Sequence, residues 1–484
     1  MSKPSSFADV ELAASPGAKT LGEPVEPETP FRVLILADFS GRANRGVMET
    51  RAGSRRPVRI DRDTFDAVFE KLRPELLFPL AGSPSPALAV RFKELDDFHP
   101  DRLFERVDVF QALRGLRERL SDNETFAEAA KALRPAEAAP PPAAPAKITL
   151  DDLLDENDGI ATGTARALDD WSAMLHDLVA PHLVPGIDPR QTELIAKVDA
   201  ATSEAMRALL HQPAFQELEA AWRAVFFLVR RLETSPELRL YLLDVSKAEL
   251  AAELEAARDD LRRSELWRMV VEESVGTPGG QPWAVLAGNY SFGQSAADLK
   301  LLARLGAVAR EAGAPFLAAT SPQMLENIGA GAFRQIRKLP QAPWIGLALP
   351  RFLLRLPYGK ETAPVDLFDF EEFASAPEHE SYLWGNPIFA CVVLLGEAFL
   401  REGWDMRPGL VREIDGLPLH VHKEDGESRA KPCAEVLMTE EGAEALLENG
   451  VMPLASIRNQ DTIRLIRFQS IADPLAPLAG RWRG

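Results

Sequence analysis

Two short patterns in the sequence carry residue types that could bind a metal ion or a phosphate group. His420-Val421-His422 would place two imidazoles on one face of a β-strand, where they could share a metal ion. No third ligand of suitable spacing accompanies this pair, so we expect ordinary surface histidines. Gly276-Thr-Pro-Gly-Gly280 looks superficially like a phosphate-binding loop, but it lacks the Gly-Lys-Ser/Thr ending and comes before a strand. We therefore expect a turn there.

Catalytic signatures are missing from the rest of the sequence. It has no HExxH, GxSxG or GxGxxG motif, and its many carboxylates are scattered over predicted helix surfaces, where solvated charge is the usual state. We therefore predict no catalytic, metal-binding or cofactor-binding residues, no cofactor and no enzymatic activity. The alternative is an enzyme whose site assembles from residues far apart in sequence.

One charged pattern bears on assembly. Glu440, Glu444 and Glu448 are spaced four apart, so they would share one face of a helix predicted over 440–449. One interpretation is a plain solvent-exposed face. The other is docking to a basic partner surface, where complementary charge sets register and encounter rate.

Composition limits the classes of protein to which the chain can belong. A chain of 484 residues favours roughly two or three domains, and a net charge of −18 argues against nucleic-acid binding, which requires clustered basic residues. No apolar run approaches the roughly 20 residues of a membrane span, and the first residues do not form a secretory signal. Cys391 and Cys433 suit a reducing compartment. We expect a cytoplasmic protein whose partners are other proteins.

Changes in composition divide the chain into four parts. We predict a disordered tail over 1–29, a small α+β domain over 30–134, an Ala/Pro linker over 135–146, and a larger α/β domain over 147–484. Short apolar runs bounded by glycine or proline predict strands, and apolar residues at intervals of three and four predict helices. The predicted strands are 31–37, 87–92, 238–244, 283–289, 315–320, 344–349, 414–421 and 462–468, and the main predicted helices are 61–72, 100–120, 213–232 and 440–449.

Two of the predicted strands lie next to sequence that we expect to be flexible. Each could complete the sheet of its own domain. Alternatively, each could be added to the sheet edge of a neighbouring subunit, with an affinity that comes from main-chain hydrogen bonds. The candidate inter-subunit residues are Val33, Leu34, Ile35 and Leu36 in the first strand and Ile463, Leu465, Ile466 and Phe468 in the second.

Whole segments of the sequence resemble the two sheath proteins of type VI secretion systems. The first part resembles the small subunit, called TssB or VipA, and the part from residue 147 onward resembles the large subunit, called TssC or VipB. The first resemblance is carried by Ala37-Asp-Phe-Ser-Gly41, Ile60-Asp-Arg-Asp-Thr-Phe-Asp66 and Phe92-Lys-Glu-Leu-Asp-Asp-Phe98. The second is carried by Leu210-His-Gln-Pro-Ala-Phe-Gln-Glu-Leu-Glu-Ala-Ala-Trp-Arg223, Tyr241-Leu-Leu-Asp-Val-Ser-Lys247, Leu349-Pro-Arg-Phe-Leu-Leu-Arg-Leu-Pro-Tyr-Gly359 and Tyr382-Leu-Trp-Gly-Asn386.

The resemblance implies a sheath protein in which the small and large subunits are joined in one polypeptide. Members of this family polymerise with copies of themselves around a tube of Hcp hexamers, starting at baseplate proteins, and contract to drive the tube outward. The acidic stripe would then lie on the family's helix that faces the inner tube, and the two terminal strands would be exchanged between subunits. The alternative is a scaffold or assembly factor that keeps the sheath fold without contracting.

The resemblance also implies an ATPase partner. In the family, a ClpV-type AAA+ ATPase recycles contracted sheath by gripping a helix near the N-terminus of the large subunit. Ile148-Thr-Leu-Asp-Asp-Leu-Leu-Asp155 resembles that helix, and its apolar residues are Leu150, Leu153 and Leu154. In this chain the segment follows a tether instead of a free end.

Overall fold

The described part of the chain contains one large sheet, three two-stranded sheets and twelve α-helices. The computed structural model describes residues 26–48, 55–78, 88–133, 191–258, 260–324, 331, 333–374, 378–424 and 426–483. The strands are β1 (Phe31–Ala37), β2 (Val58–Ile60), β3 (Glu75–Phe78), β4 (Leu88–Arg91), β5 (Leu238–Asp244), β6 (Val285–Phe292), β7 (Phe316–Thr320), β8 (Ile345–Leu349), β9 (Phe352–Leu353), β10 (Trp384–Gly385), β11 (Glu413–Ile414), β12 (Val421–Glu424), β13 (Glu427–Ala430), β14 (Val451–Ser456) and β15 (Ile463–Leu465).

Nine of these strands form one mixed sheet in the order β11-β15-β14-β8-β7-β6-β1-β5-β2. The six adjacent strands from β14 to β5 run parallel to one another. Antiparallel strands complete the two sides, with β2 next to β5 and with β15 and β11 beyond β14. A parallel centre with helices in the connections is the α/β arrangement. The predicted α/β class is therefore confirmed.

Helix α6 (Pro213–Arg231) follows the apolar spacing that predicted it. Pro213 opens α6, and the apolar residues on one face of this helix are buried, Trp222 among them. None of the described helices is both long and apolar enough to cross a membrane. The helices are α1 (Phe65–Leu72), α2 (Pro100–Arg106), α3 (Asp108–Ser121), α4 (Phe126–Ala132), α5 (Gln191–Leu210), α6 (Pro213–Arg231), α7 (Lys247–Ala256), α8 (Glu265–Trp267), α9 (Ala296–Ala312), α10 (Arg334–Arg337), α11 (Pro387–Glu402) and α12 (Glu440–Glu448).

The central position of β1 explains its unbroken apolar sequence. Val33 and Ile35 belong to one buried cluster, while Leu34 and Leu36 belong to another, and all four are at most 1% exposed. Successive side chains of a strand point to opposite faces, so both faces of this strand are covered. Each such burial stabilises the fold by about 1.5–3 kcal/mol.

Strands from both predicted domains share the nine-stranded sheet. β1 and β2 come from the small predicted domain, and they lie on either side of β5 from the large one. The two parts are thus joined by a common sheet and core as well as by the connecting chain. The proposed boundaries at 134 and 147, the Ala/Pro linker and most of the predicted tail lie outside the described residues. The division into domains therefore stays a prediction.

The single helix predicted over 100–120 is wrong. α2 ends at Arg106 and α3 begins at Asp108, because Val107 between them has an extended backbone with φ −85° and ψ 125°. A residue in that conformation interrupts the helical hydrogen bonds. The turn predicted at Gly276 to Gly280 is confirmed, since the amide of Gly280 donates to the carbonyl oxygen of Thr277 at 2.9 Å.

Two predicted strands near the C-terminus are shorter than expected. Instead of one strand over 414–421, β11 ends at Ile414 and β12 starts at Val421. Gly416, with a left-handed φ of 62°, and Pro418 lie between them and are poorly suited to a continuous strand. The strand predicted over 462–468 is confirmed only for Ile463–Leu465.

Candidate functional site

A buried contact connects the N-terminal part of the chain to the C-terminal part. We call it the intersegment joint and define it by Phe39, Arg42, Trp222, Asp244 and Glu249. The indole Nε1–H of Trp222 donates a hydrogen bond to the carbonyl oxygen of Phe39 at 2.9 Å. The two rings pack with centroids 5.3 Å apart, and both side chains are fully buried. The indole thus satisfies a backbone acceptor that would otherwise be costly to bury.

Asp244 organises the charged half of the intersegment joint. Its Oδ1 accepts hydrogen bonds from the backbone amides of Phe39 at 2.8 Å and Ser40 at 3.2 Å. Its Oδ2 pairs with Arg42, whose guanidinium also contacts Glu249 on α7 at 3.2 Å. Burial raises the pKa of Asp244 and outweighs Arg42, which lowers it. These contacts bind the turn that follows β1 to the end of β5.

Aromatic rings extend the intersegment joint into the core. Phe65 and Phe69 on α1 pack against Trp222, with ring centroids 5.9 Å and 4.3 Å from it. Further along α6, Phe215 packs against Phe98 with centroids 5.5 Å apart. Aromatic pairs in such tilted or edge-on geometry add roughly 0.5–1.5 kcal/mol beyond their buried area. α6 is therefore one of the surfaces against which the N-terminal part packs.

A second buried charge cluster lies where α6 meets the chain after β9. Arg355 pairs with Glu219 at 2.9 Å and with Glu372 at 2.7 Å. Burial would raise the pKa of Glu372, but Arg355 and hydrogen bonds to the carboxylate lower it to about 2. Burial raises the pKa of the neighbouring Tyr358 to about 12. The ring of His99 packs on Tyr358 with centroids 4.9 Å apart, so both parts of the chain contribute to this cluster too.

The predicted acidic stripe lies on α12. Thr439 caps this helix by accepting a backbone N–H, and Leu446 anchors it in the core. Glu440, Glu444 and Glu448 are exposed, and none of them forms an ion pair with a described lysine, arginine or histidine. The three carboxylates are accessible to a partner. Their docking role stays a prediction.

Both candidate inter-subunit strands have partners inside the chain. Val33, Leu34, Ile35 and Leu36 lie in β1, between β5 and β6. Ile463 and Leu465 lie in β15, between β14 and β11, and are followed by the half-buried Ile466 and the buried Phe468. A role of these residues in joining subunits stays a prediction. Leu150, Leu153 and Leu154 of the candidate ATPase-binding helix lie outside the described residues.

The expectation of a surface histidine at position 420 is wrong. His420 is 7% exposed, and its Nδ1 lies 2.7 Å from the hydroxyl of Tyr382. Its ring also stacks on that of His422, with centroids 5.4 Å apart. His420 directly precedes β12 and does not lie within a strand. It is buried by aromatic residues from a distant part of the chain, such as Tyr382, and the sequence around position 420 does not reveal that contact.

One group of side chains has the composition of a metal site but already has ionic partners. His379, Glu380 and Glu435 place their potential ligand atoms within 4.8 Å of one another. Arg351 contacts Glu435 at 2.5 Å and Glu380 at 3.4 Å, and the Nζ of Lys431 lies 3.1 Å from the Nδ1 of His379. These two cations would repel a metal ion. The group is therefore better described as an ionic contact within the chain.

We did not predict the intersegment joint, although the sequence contains a signal of it. Asp38 directly follows β1, and Asp244 ends β5. The carboxyl ends of neighbouring parallel strands meet at one edge of a sheet, where polar side chains can interact. Predicting this contact from the sequence would have required knowing that β1 and β5 are neighbours in the sheet.

Two family models match the chain, and together they cover most of it. The VipB model, described as "EvpB/VC_A0108, tail sheath N-terminal domain", matches residues 192–330 and 327–472. The VipA model, described as "Type VI secretion system, VipA, VC_A0107 or Hcp2", matches residues 17–136. The chain belongs to the type VI secretion sheath family. It carries a VipA-like (TssB-like) segment followed by a VipB-like (TssC-like) segment, and the intersegment joint connects the two.

Curated relatives match the same two segments separately. The type VI secretion system sheath protein TssC1 of Pseudomonas aeruginosa is 32% identical over 305 residues, which are 58% of this chain and 61% of that protein. The sheath protein TssB1 of the same organism is 27% identical over 103 residues, which are 20% of this chain and 59% of that protein. The chain thus spans about 60% of the length of each of these relatives. The predicted resemblance to both sheath subunits is confirmed.

Proposed function

We propose that the chain is a structural, non-enzymatic subunit of a contractile type VI sheath. In this proposal it polymerises in the bacterial cytoplasm around an Hcp-like tube, starting at baseplate proteins, and contracts to propel the tube. The observation that carries the proposal is the position of β1. All seven residues of this VipA-like strand pair with β5 and four pair with β6, so a VipB-like sheet holds it on both sides.

A protomer held together in this way suits a machine that moves by changing contacts between subunits. Contraction requires two packings of the same subunits, with the extended packing trapped and the contracted one lower in free energy. Removing β1 would break its main-chain hydrogen bonds, at roughly 0.5–1.5 kcal/mol each, and would expose its buried side chains. The VipA-like and VipB-like segments should therefore move as one body. Fusion would also fix their ratio at one to one.

We further propose that α12 docks on the inner tube. Its three exposed carboxylates, on Glu440, Glu444 and Glu448, project from a helix that Leu446 fixes to the core. The guanidinium of Arg337 donates to the carbonyl oxygen of Glu448 at 3.0 Å, which ties the end of the helix to a neighbouring segment. An acidic face on a fixed helix can set the register against a basic tube surface.

Strand exchange is the proposed link between subunits. In the single chain β1 and β15 have partners on both sides, so exchange means that the same pairings form between identical copies in the polymer. Such swapping is inexpensive because the contacts are the same within and between chains. The candidates remain Val33 to Leu36 in β1 and Ile463, Leu465, Ile466 and Phe468 in and after β15.

Recycling by a ClpV-type ATPase is a further part of the proposal. Leu150, Leu153 and Leu154 are its candidate contacts. A peptide of residues 148–155 fused to an unrelated carrier should bind the ATPase, and alanine at the three leucines should abolish that binding.

Electron microscopy of negatively stained protein tests the proposed function. The full chain, mixed with an Hcp-like tube protein and baseplate proteins, should form long hollow tubes. A non-contracting scaffold would instead form small closed oligomers. Monodisperse protein under all assembly conditions, with and without the tube and baseplate proteins, would contradict the proposal.

A further inference from the structure

A β-hairpin is held against a neighbouring loop by two histidine contacts. The hairpin consists of β12 and β13 with the residues that flank them, 420–431, and the loop is 378–384. The hydroxyl of Tyr382 lies 2.7 Å from the Nδ1 of His420, and the Nζ of Lys431 lies 3.1 Å from the Nδ1 of His379. We call this contact the hairpin latch. It joins the same two segments at both ends of the hairpin.

The hairpin can leave the loop without disturbing the main sheet. Among the described strands, β12 and β13 pair only with each other. Val421 at the start of β12 is 55% exposed, so little apolar packing holds that strand. In the docked position the Nδ1 of His422 is buried without a hydrogen-bond partner among the described residues. Release would expose this nitrogen to water, and the free energy gained by its hydration offsets part of the free energy lost with the contact.

The surroundings of His420 oppose a positive charge on its ring. Its neighbours at contact distance are the hydroxyl of Tyr382, the ring of Phe373 and the second imidazole of His422. A second cation, Lys431, lies over the Tyr382 ring at 5.2 Å. The carboxylate that acts on His420, Glu372, is already paired with an arginine. A proton on His420 would therefore place a charge in a buried site without a carboxylate in contact.

The carboxylates and the tyrosine near His420 keep their charge state in mild acid, so a change in charge there would come from a histidine. Burial lowers the pKa of His420 from its ordinary 6.5, His422 lowers it further, and Glu372 acts in the opposite direction. The pKa of Glu372 and that of Glu435 both lie at about 2, so these carboxylates stay charged well below neutral pH. Burial raises the pKa of Tyr382, so its hydroxyl keeps its proton.

We propose that the hairpin latch is a pH-sensitive device, which holds the hairpin at neutral pH and releases it in mild acid, when His420 takes a proton. Once released, His420 is in water and binds a proton near its ordinary pKa, whereas the docked ring resists protonation. The released state therefore binds more protons as the pH falls below about 6.5, and mass action favours it. This proposal does not depend on the sheath function.

Hydrogen–deuterium exchange of the full chain tests the proposal. Exchange would be measured by mass spectrometry at about pH 7.5 and about pH 5, with times scaled for the intrinsic rate at each pH. We expect protection of amides in 420–431 to fall on the order of tenfold at the lower pH. His420→Asn should keep its protection, because the asparagine oxygen can replace Nδ1 as an acceptor but does not titrate. His99→Asn, a histidine that packs on Tyr358 instead, should respond as the wild type does.

A second variant keeps the test decisive if the first alters the hairpin. Tyr382→Phe removes the hydroxyl and retains the ring, so we expect reduced protection of 420–431 already at neutral pH and a smaller response to acid. Equal protection of the wild type at both pH values would overturn the proposal. The same loss of protection in His420→Asn as in the wild type, or full wild-type behaviour of Tyr382→Phe, would also overturn it.

Discussion

Arg42 of the VipA-like segment forms an ion pair with Asp244 of the VipB-like segment, at 2.5 Å. The arginine directly follows the turn that ends β1, and the aspartate is the last residue of β5, so the pair joins the carboxyl ends of two neighbouring strands. Both side chains are only 12–13% exposed. The arginine of one segment thus neutralises the buried carboxylate of the other, and the carboxylate neutralises the arginine.

Removing the arginine should destabilise the protein. Arg42→Ala leaves the buried Asp244 without its ion-pair partner, and we expect a loss of about 2–4 kcal/mol in the free energy of unfolding, because an unpaired buried charge is costly. Lys360→Ala is the matched control, since it breaks an exposed pair with Asp369 and should leave the free energy of unfolding nearly unchanged. Urea unfolding followed by circular dichroism measures both. Equal losses in the two variants would show that the intersegment pair has no special role.

Glu372 should make stability depend on pH in the acid range. Its pKa is lowered from 4.5 to about 2, so above about pH 5 the carboxylate is ionised in both states and its contribution is complete. As the pH falls from about 5 towards 2, the unfolded chain takes up a proton that the native side chain resists, and stability is lost. The expected loss is on the order of 2–3 kcal/mol.

Two variants isolate this contribution. The difference in unfolding free energy between the wild type and Glu372→Gln should shrink as the pH falls from about 6 to about 3. Glu378→Gln, at an exposed position of the same region, should show no such change. Unfolding curves at several pH values provide the measurement. A difference for Glu372→Gln that is constant with pH would refute the assignment.

Charge reversal on α12 tests docking to the inner tube. Changing Glu440, Glu444 and Glu448 to lysine should weaken co-sedimentation with an Hcp-like tube by at least tenfold, because like charges would then face each other. The melting temperature should change little, since all three side chains are exposed. The control reverses Asp66 and Glu70, two exposed acidic residues on α1. Unchanged binding after reversal on α12 would remove the docking proposal.

Cysteine pairs distinguish strand exchange from pairing within the chain. Ile35 on β1 and Leu242 on β5 are register partners, so Ile35→Cys combined with Leu242→Cys should form a disulfide. Oxidation before assembly should give crosslinked monomers, and oxidation of tubes should give ladders if β1 is exchanged. The native Cys391 and Cys433 are buried. The variants with only one introduced cysteine, Ile35→Cys or Leu242→Cys, show whether either native cysteine forms a disulfide with it.

The same design applies to the second candidate strand. Leu454 on β14 and Leu465 on β15 are antiparallel partners, so cysteines at these positions report on the neighbours of β15. Tubes that yield only crosslinked monomers with both pairs would exclude exchange of β1 and β15. Ladders with one pair alone would identify the strand that links subunits.

The local sequence pattern predicted those strands and helices whose burial is the same along their whole length. β1 is apolar throughout because both of its faces are buried, and α6 shows its stripe because one face lies in the core. The joint could not be predicted in this way, since Phe39 and Asp244 are 205 residues apart in sequence. His420 was misjudged for the same reason, because the segment that buries it is 38 residues away at Tyr382.

Cryo-electron microscopy of the assembled polymer tests whether the VipA-like strand β1 completes the VipB-like sheet of a sheath subunit. We expect a hollow helical tube with one chain per subunit, in which the strand Phe31–Ala37 fills the position between β5 and β6. That position would be filled whether the strand comes from the same chain or from a neighbour. A polymer in which β5 and β6 pair directly and the VipA-like segment lies outside the sheet would contradict it.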